Sequence, residues 1–152
     1  MHVRADLALY DPAGRLVALA EIKNKRGTSR GWAAKTRRNI LAHGGISDVD
    51  FFLLITPDRL YLWKDAGTDP VEVPPSYQAE ADSLFSPYLE GAGVDPRSVG
   101  GHAFELIVSA WLSDVMRSAV STNGHGDDRS WLARSGFHAA VKDGRIEYDA
   151  AA

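Results

Sequence analysis

Residues 5–25, ADLALYDPAGRLVALAEIKNK, read as two apolar strands joined by a tight turn, and each strand carries one acid near the end remote from that turn. The turn is DPAG, residues 11–14, in which Pro12 presets a turn dihedral and Gly14 permits positive φ. Strands predicted over 3–10 (VRADLALY) and 16–23 (LVALAEIK) then form a β-hairpin. Apolar residues occupy both faces of each strand, the pattern of a sheet covered on both sides. An ionised carboxylate in such a sheet costs several kcal/mol unless it is compensated, so Asp6 and Glu21 call for a partner.

The hairpin returns Asp6 to the end of the sheet where Glu21 lies. Strand alternation points Glu21 and Lys23 to one face and Ile22 to the other. Two converging carboxylates repel unless they are protonated or bridged. A hard divalent cation bridges them: Mg²⁺ prefers oxygen ligands, commonly one or two carboxylates with water and substrate phosphate, and Mn²⁺ substitutes for it. The adjacent lysine contacts a phosphate or positions a water whose pKa the ion has lowered.

Charge distribution agrees with an anionic substrate. Lys23, Lys25, Arg26, Arg30, Lys35, Arg37 and Arg38 fall in one stretch without a single acid, so a chain of net charge −3 carries about −10 elsewhere. A basic run that starts where the acidic strand ends suits a protein that holds a polyanion against metal ions. The remaining composition excludes other chemistries. There is no cysteine, hence no disulfide, thiolate metal site or cysteine nucleophile. No G-x-S-x-G elbow occurs, and His2, His43, His102, His125 and His138 have no metal-ligand spacing and read as surface or structural residues. No apolar run reaches the ~20 residues of a membrane span, and MHVRADLALYD lacks the apolar stretch of a signal peptide, so a cytoplasmic protein with no membrane partner is expected.

Downstream, Thr28 or Ser29 caps a helix over 30–42 that Gly44 and Gly45 end. FFLLIT (51–56) reads as a buried strand and RLYLWK (59–64) as its antiparallel neighbour. SYQAEADSLFSPYLEGAG (76–93) reads as a helical stretch broken at Pro87. Phe104, Ile107, Val108, Trp111, Val115 and Met116 recur at helical spacing over 102–120. After the polar loop STNGHGDDRS, the segment GFHAAVKDGRIEYD reads as a second hairpin around KDG. Asp48 and Asp50 read as turn and cap residues, Trp111 and Phe104 as core, and Trp32, Tyr61 and Trp63 as space-fillers against the sheet rather than stacking platforms.

With Asp6 on one strand and Glu21-Ile22-Lys23 on the next, fourteen residues lying between the two acids, the sequence resembles the PD-(D/E)XK nuclease superfamily, the restriction-endonuclease-like fold. In that family an aspartate on one hairpin strand is followed on the next by Glu or Asp, any residue, and Lys; a helix with polar or basic residues comes after. The resemblance covers about residues 3–64, the catalytic core of a single 1–152 domain whose segment 76–149 completes it. It implies an α/β (α+β) fold, a mixed sheet flanked by helices. It also implies that Asp6, Glu21 and the Ile22 backbone carbonyl hold Mg²⁺, and that Lys23 positions the attacking water or stabilises the pentavalent phosphate. Lys25, Arg26, Arg30, Lys35, Arg37 and Arg38 would then hold the backbone of DNA, or of RNA in its place, with activity as a nuclease; the alternative is a catalytically inactive nuclease-fold module that binds DNA or a protein partner. A third reading is an interaction domain that docks a protein through its acidic C-terminal half.

The family core begins with a helix and a strand before the aspartate, and only five residues precede Asp6 here. Two arrangements make up the difference. In one, the C-terminal segment completes the sheet, by circular permutation or by a swap between subunits. In the other, a minimal core forms a homodimer that covers the open strand. Under the first, Glu105 near the start of helix 102–120 is a candidate metal ligand, against its plain role as a first-turn acid opposing the helix dipole.

Overall fold

The computed structural model of the protein describes residues 5–44, 46–95, 98–117 and 130–148. The DPAG turn closes the expected hairpin of β1 (Leu7–Tyr10) and β2 (Leu16–Ile22) in antiparallel register, Leu7 opposite Ala20. Residues 3 and 4 of the expected first strand lie outside the described residues. Ser29, not Thr28, caps α1 (Arg30–Ala42): its side chain accepts from the Trp32 N–H at 3.1 Å. The helix returns the chain to β3 (Phe51–Ile55), parallel to β2, and β4 (Arg59–Lys64) turns back antiparallel to β3.

Two expectations for the second half are corrected. Tyr77–Glu80 is not helical; it is β5, antiparallel to β4, with Ala79 inward and Gln78 and Glu80 exposed. The helix α2 (Asp82–Gly91) starts only after it and runs through Pro87 without a break. A proline removes one intrahelical donor, and in this helix Leu84, Phe85 and Leu89 are buried on both sides of it, which offsets the loss. The expected 137–148 hairpin is likewise absent. Phe137–Val141 is a short helix, α5, because i,i+4 spacing buries Phe137 and Val141 together, each 0% exposed. Only Arg145–Tyr148 is a strand, β6, and it pairs with β1. KDG still makes the turn: Asp143 has φ 61°, and a Cβ on Gly144 would collide with the Tyr10 carbonyl.

The result is a mixed α/β fold, a six-stranded sheet in the order β5-β4-β3-β2-β1-β6. The C-terminal strand therefore covers β1, and β5 and β6 form the edges. α3 (Gly101–Arg117) matches the start of the predicted 102–120 helix, whose last three residues lie outside the described ones, as does most of the polar loop before α4 (Ser130–Arg134). On one face, residues of α2, α3, α4 and α5 pack against Leu7, Leu9, Ile22, Leu53 and Leu62. On the other, α1 packs through Ala33 against Ala8, Leu19, Leu54, Tyr61 and Trp63. Asp6 and Glu21 belong, by alternation, to this second face.

Candidate active site

One residue beyond the Leu7–Ala20 pair, Asp6 stands across from Glu21 on neighbouring antiparallel strands. Directly opposed residues of such a pair have Cβ atoms about 5 Å apart, a distance at which like charges are destabilising. Each acid is held by the other strand's backbone: Asp6 Oδ2 accepts from the Ile22 N–H at 2.7 Å, and the Glu21 carboxylate accepts from the Asp6 backbone. Burial and the Asp6 charge push the Glu21 carboxyl up to about 7, against the pull of Lys23. The Lys23 ammonium lies 3.6 Å from Glu21 Oε2, with the glutamate side chain only 16% exposed and the lysine 43%. The motif residues thus gather on one face, as strand alternation requires.

The Ile22 carbonyl completes the oxygen set. Within a strand the N–H and C=O of one residue point to the same side. Because the Ile22 N–H reaches Asp6, its carbonyl is aimed to that side too, while Lys23 N–H bonds to Ile55 on the opposite side at 2.9 Å. Two carboxylates and a carbonyl are hard oxygen donors, the donor type that would suit a divalent cation such as Mg²⁺. Glu105 does not join them. It is exposed on α3, which packs on the far face of the sheet, and among the described residues no three His, Cys, Asp or Glu side chains converge.

Glu21 and Lys23 open onto a cleft of about 640 Å³ between β2 and the second half of α1, lined there by Thr36, Asn39, Ile40 and His43. These four follow the i, i+3, i+4, i+7 stripe of one helix face. His43 is exposed, as expected, and it stands at the mouth of this cleft. Its Nδ1 lies 2.6 Å from the Asn39 carbonyl, which can only accept, so Nδ1 is the donor in this bond.

The basic run is dispersed. Arg37 turns inward: it is 2% exposed, packs 5.7 Å over Trp63 and donates to the Gly67 carbonyl at 2.8 Å. Helical spacing sets Arg37 on the buried stripe with Ala33 and Ala34, and burial lowers its pKa. Arg38 pairs with Glu72 at 2.7 Å and Arg26 with Asp82 at 3.3 Å. Lys25 lies over the Trp32 ring, Lys35 is exposed on α1, and Arg30 turns to the Pro75 carbonyl at 3.4 Å. Tyr61 and Trp63 are core, as expected, and Asp50 pairs with Arg15 at 2.7 Å.

Comparison with protein-family models, with curated proteins and with solved structures finds no match. Among the described residues no helix is long and apolar enough to cross a membrane.

Proposed function

We propose that this protein is a Mg²⁺-dependent nuclease of the restriction-endonuclease-like fold that hydrolyses DNA phosphodiester bonds. The observation that supports this reading is the meeting of Asp6 and Glu21 across β1 and β2, with Lys23 against Glu21 and a cleft in front of them. The fold assignment draws on the helix and strand that the family sets before its aspartate. Here α3 and β6 can supply them from the other end of the chain, β6 lying beside β1, which favours the permuted arrangement over the dimer.

When bound, Mg²⁺ supplies positive charge against a phosphoryl oxygen and makes water more acidic. Asp6, Glu21 and the Ile22 carbonyl hold the ion. Lys23, half exposed at the mouth of the cleft, sets its ammonium against the charge that builds on phosphate, or orients the water. The Glu21 carboxyl, pushed up to about 7 by burial and the Asp6 charge, would have to be ionised to serve as a ligand. Metal binding is therefore tighter above neutrality than below it.

Cleavage of a labelled oligonucleotide, titrated with Mg²⁺ and Mn²⁺, tests this with Asp6→Ala, Glu21→Ala and Lys23→Ala. Each variant loses at least about a hundredfold in rate while still folding; three variants that cut like wild type overturn it. A second reading, a nuclease-fold module that binds without cutting, is favoured by Asp6 Oδ2 being taken up by the Ile22 N–H. It expects salt-sensitive DNA binding indifferent to Mg²⁺, and no product with any metal.

A further inference from the structure

A second basic cleft lies at the opposite edge of the sheet from β6. It encloses about 520 Å³ along the free edge of β5, where Arg30 from α1, Arg59 from β4 and Arg134 from α4 surround Tyr77 and Trp131. Among the described residues lining it, Glu80 is the one acid, so three guanidiniums face a single carboxylate. That carboxylate does not satisfy them: Arg59 Nε is 4.0 Å from Glu80, is buried and makes no hydrogen bond among the described residues. Neither Arg30 nor Arg134 enters an ion pair among the described residues; Arg134 instead covers the Tyr77 ring at 5.9 Å. Trp131 adds the decisive feature. It is 2% exposed, and among the described residues its buried indole N–H has no hydrogen-bond partner. An unmatched buried donor costs roughly 1–3 kcal/mol, so a lining with two of them is tolerated best where a ligand accepts from them.

Acceptor-rich, negative and compact, a phosphate group matches this lining, because guanidinium forks bind phosphate oxygens bidentately. The position matters as much as the chemistry. Ile22, Ile55, Leu60 and Ala79 form one continuous row of paired residues across β2, β3, β4 and β5. The Arg59–Glu80 pair lies one step beyond that row, level with Lys23. The arginine cleft and the paired carboxylates therefore share one end of the sheet, three strand spacings or about 14 Å apart. At ~3.4 Å per nucleotide along a duplex, that is about four nucleotides.

We infer that the β5-edge cleft is a phosphate subsite, in which Arg30, Arg59, Arg134 and the Trp131 indole N–H grip the backbone of the nucleic-acid substrate away from the bond being cut. This rests on the nuclease reading for the identity of the substrate, and on the cleft's own lining for its chemistry.

Two measurements without metal, in EDTA, test it. In the wild-type protein, the Trp131 indole N–H resonance, assigned with Trp131→Phe, shifts on titration with inorganic phosphate and shifts at lower concentration with a short oligonucleotide. In the Arg30→Ala/Arg134→Ala double variant, oligonucleotide affinity falls roughly tenfold, and the slope of log K against log[salt] becomes shallower by about 2. A Trp131 resonance that stays still with both ligands overturns the subsite. So does one that responds to poly-glutamate and not to the oligonucleotide, which would mark an acidic strand adding to the β5 edge. The subsite and the hydrolase reading fail separately. A shifting Trp131 signal with no product under any metal keeps the subsite and removes the hydrolase. Unchanged affinity and salt slope in the double variant, with Mg²⁺-dependent cutting retained, do the reverse.

Discussion

The two faces of the sheet are built on different terms. One carries four helices and a continuous run of aromatic contacts, from Phe104 and Trp111 around Phe85 to Trp131, Phe137 and Phe51, with ring centroids 5.5–6.3 Å apart. The other carries, among the described helices, α1 alone, and polar groups are buried or half-buried in it: the Thr28–Tyr61 hydroxyl pair at 2.8 Å, Arg37, and the Asp6–Glu21 pair. The thick face is where apolar area leaves water and stability accumulates. The thin face leaves a cleft between the end of β2 and α1, and charges that weaken the fold are kept beside it. The lesson is a division of labour within one sheet: the helices packed on one side allow a costly carboxylate pair on the other.

Substitutions on the two faces should separate these roles. The largest effect is expected from Phe85→Ala, which opens a cavity between Phe104 and Trp111 and costs about 3–5 kcal/mol in denaturant unfolding. Activity per folded molecule should stay unchanged, and a loss of metal-dependent cutting in the folded fraction would break the division. Next comes Glu21→Gln, on the thin face. It should lower cleavage by at least about a hundredfold, yet raise the melting temperature at neutral pH, since the amide keeps the shape and removes the repulsion with Asp6. A lower melting temperature would mean that the Glu21 charge stabilises the fold.

A smaller effect follows from the same group. The folded-state pKa of Glu21, about 7, lies above its ordinary 4.5, so the native state binds the extra proton between the two values. Stability then falls as pH rises through that window and levels off above it. In EDTA the melting temperature should drop by several degrees between about pH 5 and pH 8, the drop should shrink in Glu21→Gln, and Mg²⁺ should restore it mainly at the alkaline end. An equal drop in wild type and variant would assign the pH dependence to other groups. Smallest of all is Arg37→Met. Among the described residues the guanidinium Nε and Nη1 are buried without partners, so an apolar side chain of similar length should leave stability within about 1–2 kcal/mol of wild type or above it. DNA affinity should not change, and a clear weakening would restore Arg37 to the nucleic-acid surface.

The first half of the fold was legible in detail. A DPAG turn, a capped helix and an apolar pentapeptide are local signals, and β1, β2, α1, β3 and β4 appear within a residue or a few of their predicted bounds. The second half was not, because its assignments depend on distant partners. Tyr77–Glu80 becomes a strand by pairing with β4, and Arg145–Tyr148 by pairing with β1. At the site, the alternation of β2 was enough to bring Glu21 and Lys23 to one face. The fate of the basic run was not readable as charge, since α1 rotates Arg37 into the core while acids far along the chain engage Arg26 and Arg38.

By itself, then, the amino-acid order determined the hairpin, its two opposed acids and the lysine beside them, because turn chemistry and a two-residue side-chain period act over neighbouring positions. Tertiary structure alone decided which strand covers β1, which arginines are buried or paired, and that three of them from α1, β4 and α4 line one cleft with Trp131 at the β5 edge. Those outcomes depend on contacts between residues tens of positions apart, and local periodicity carries no information about such partners.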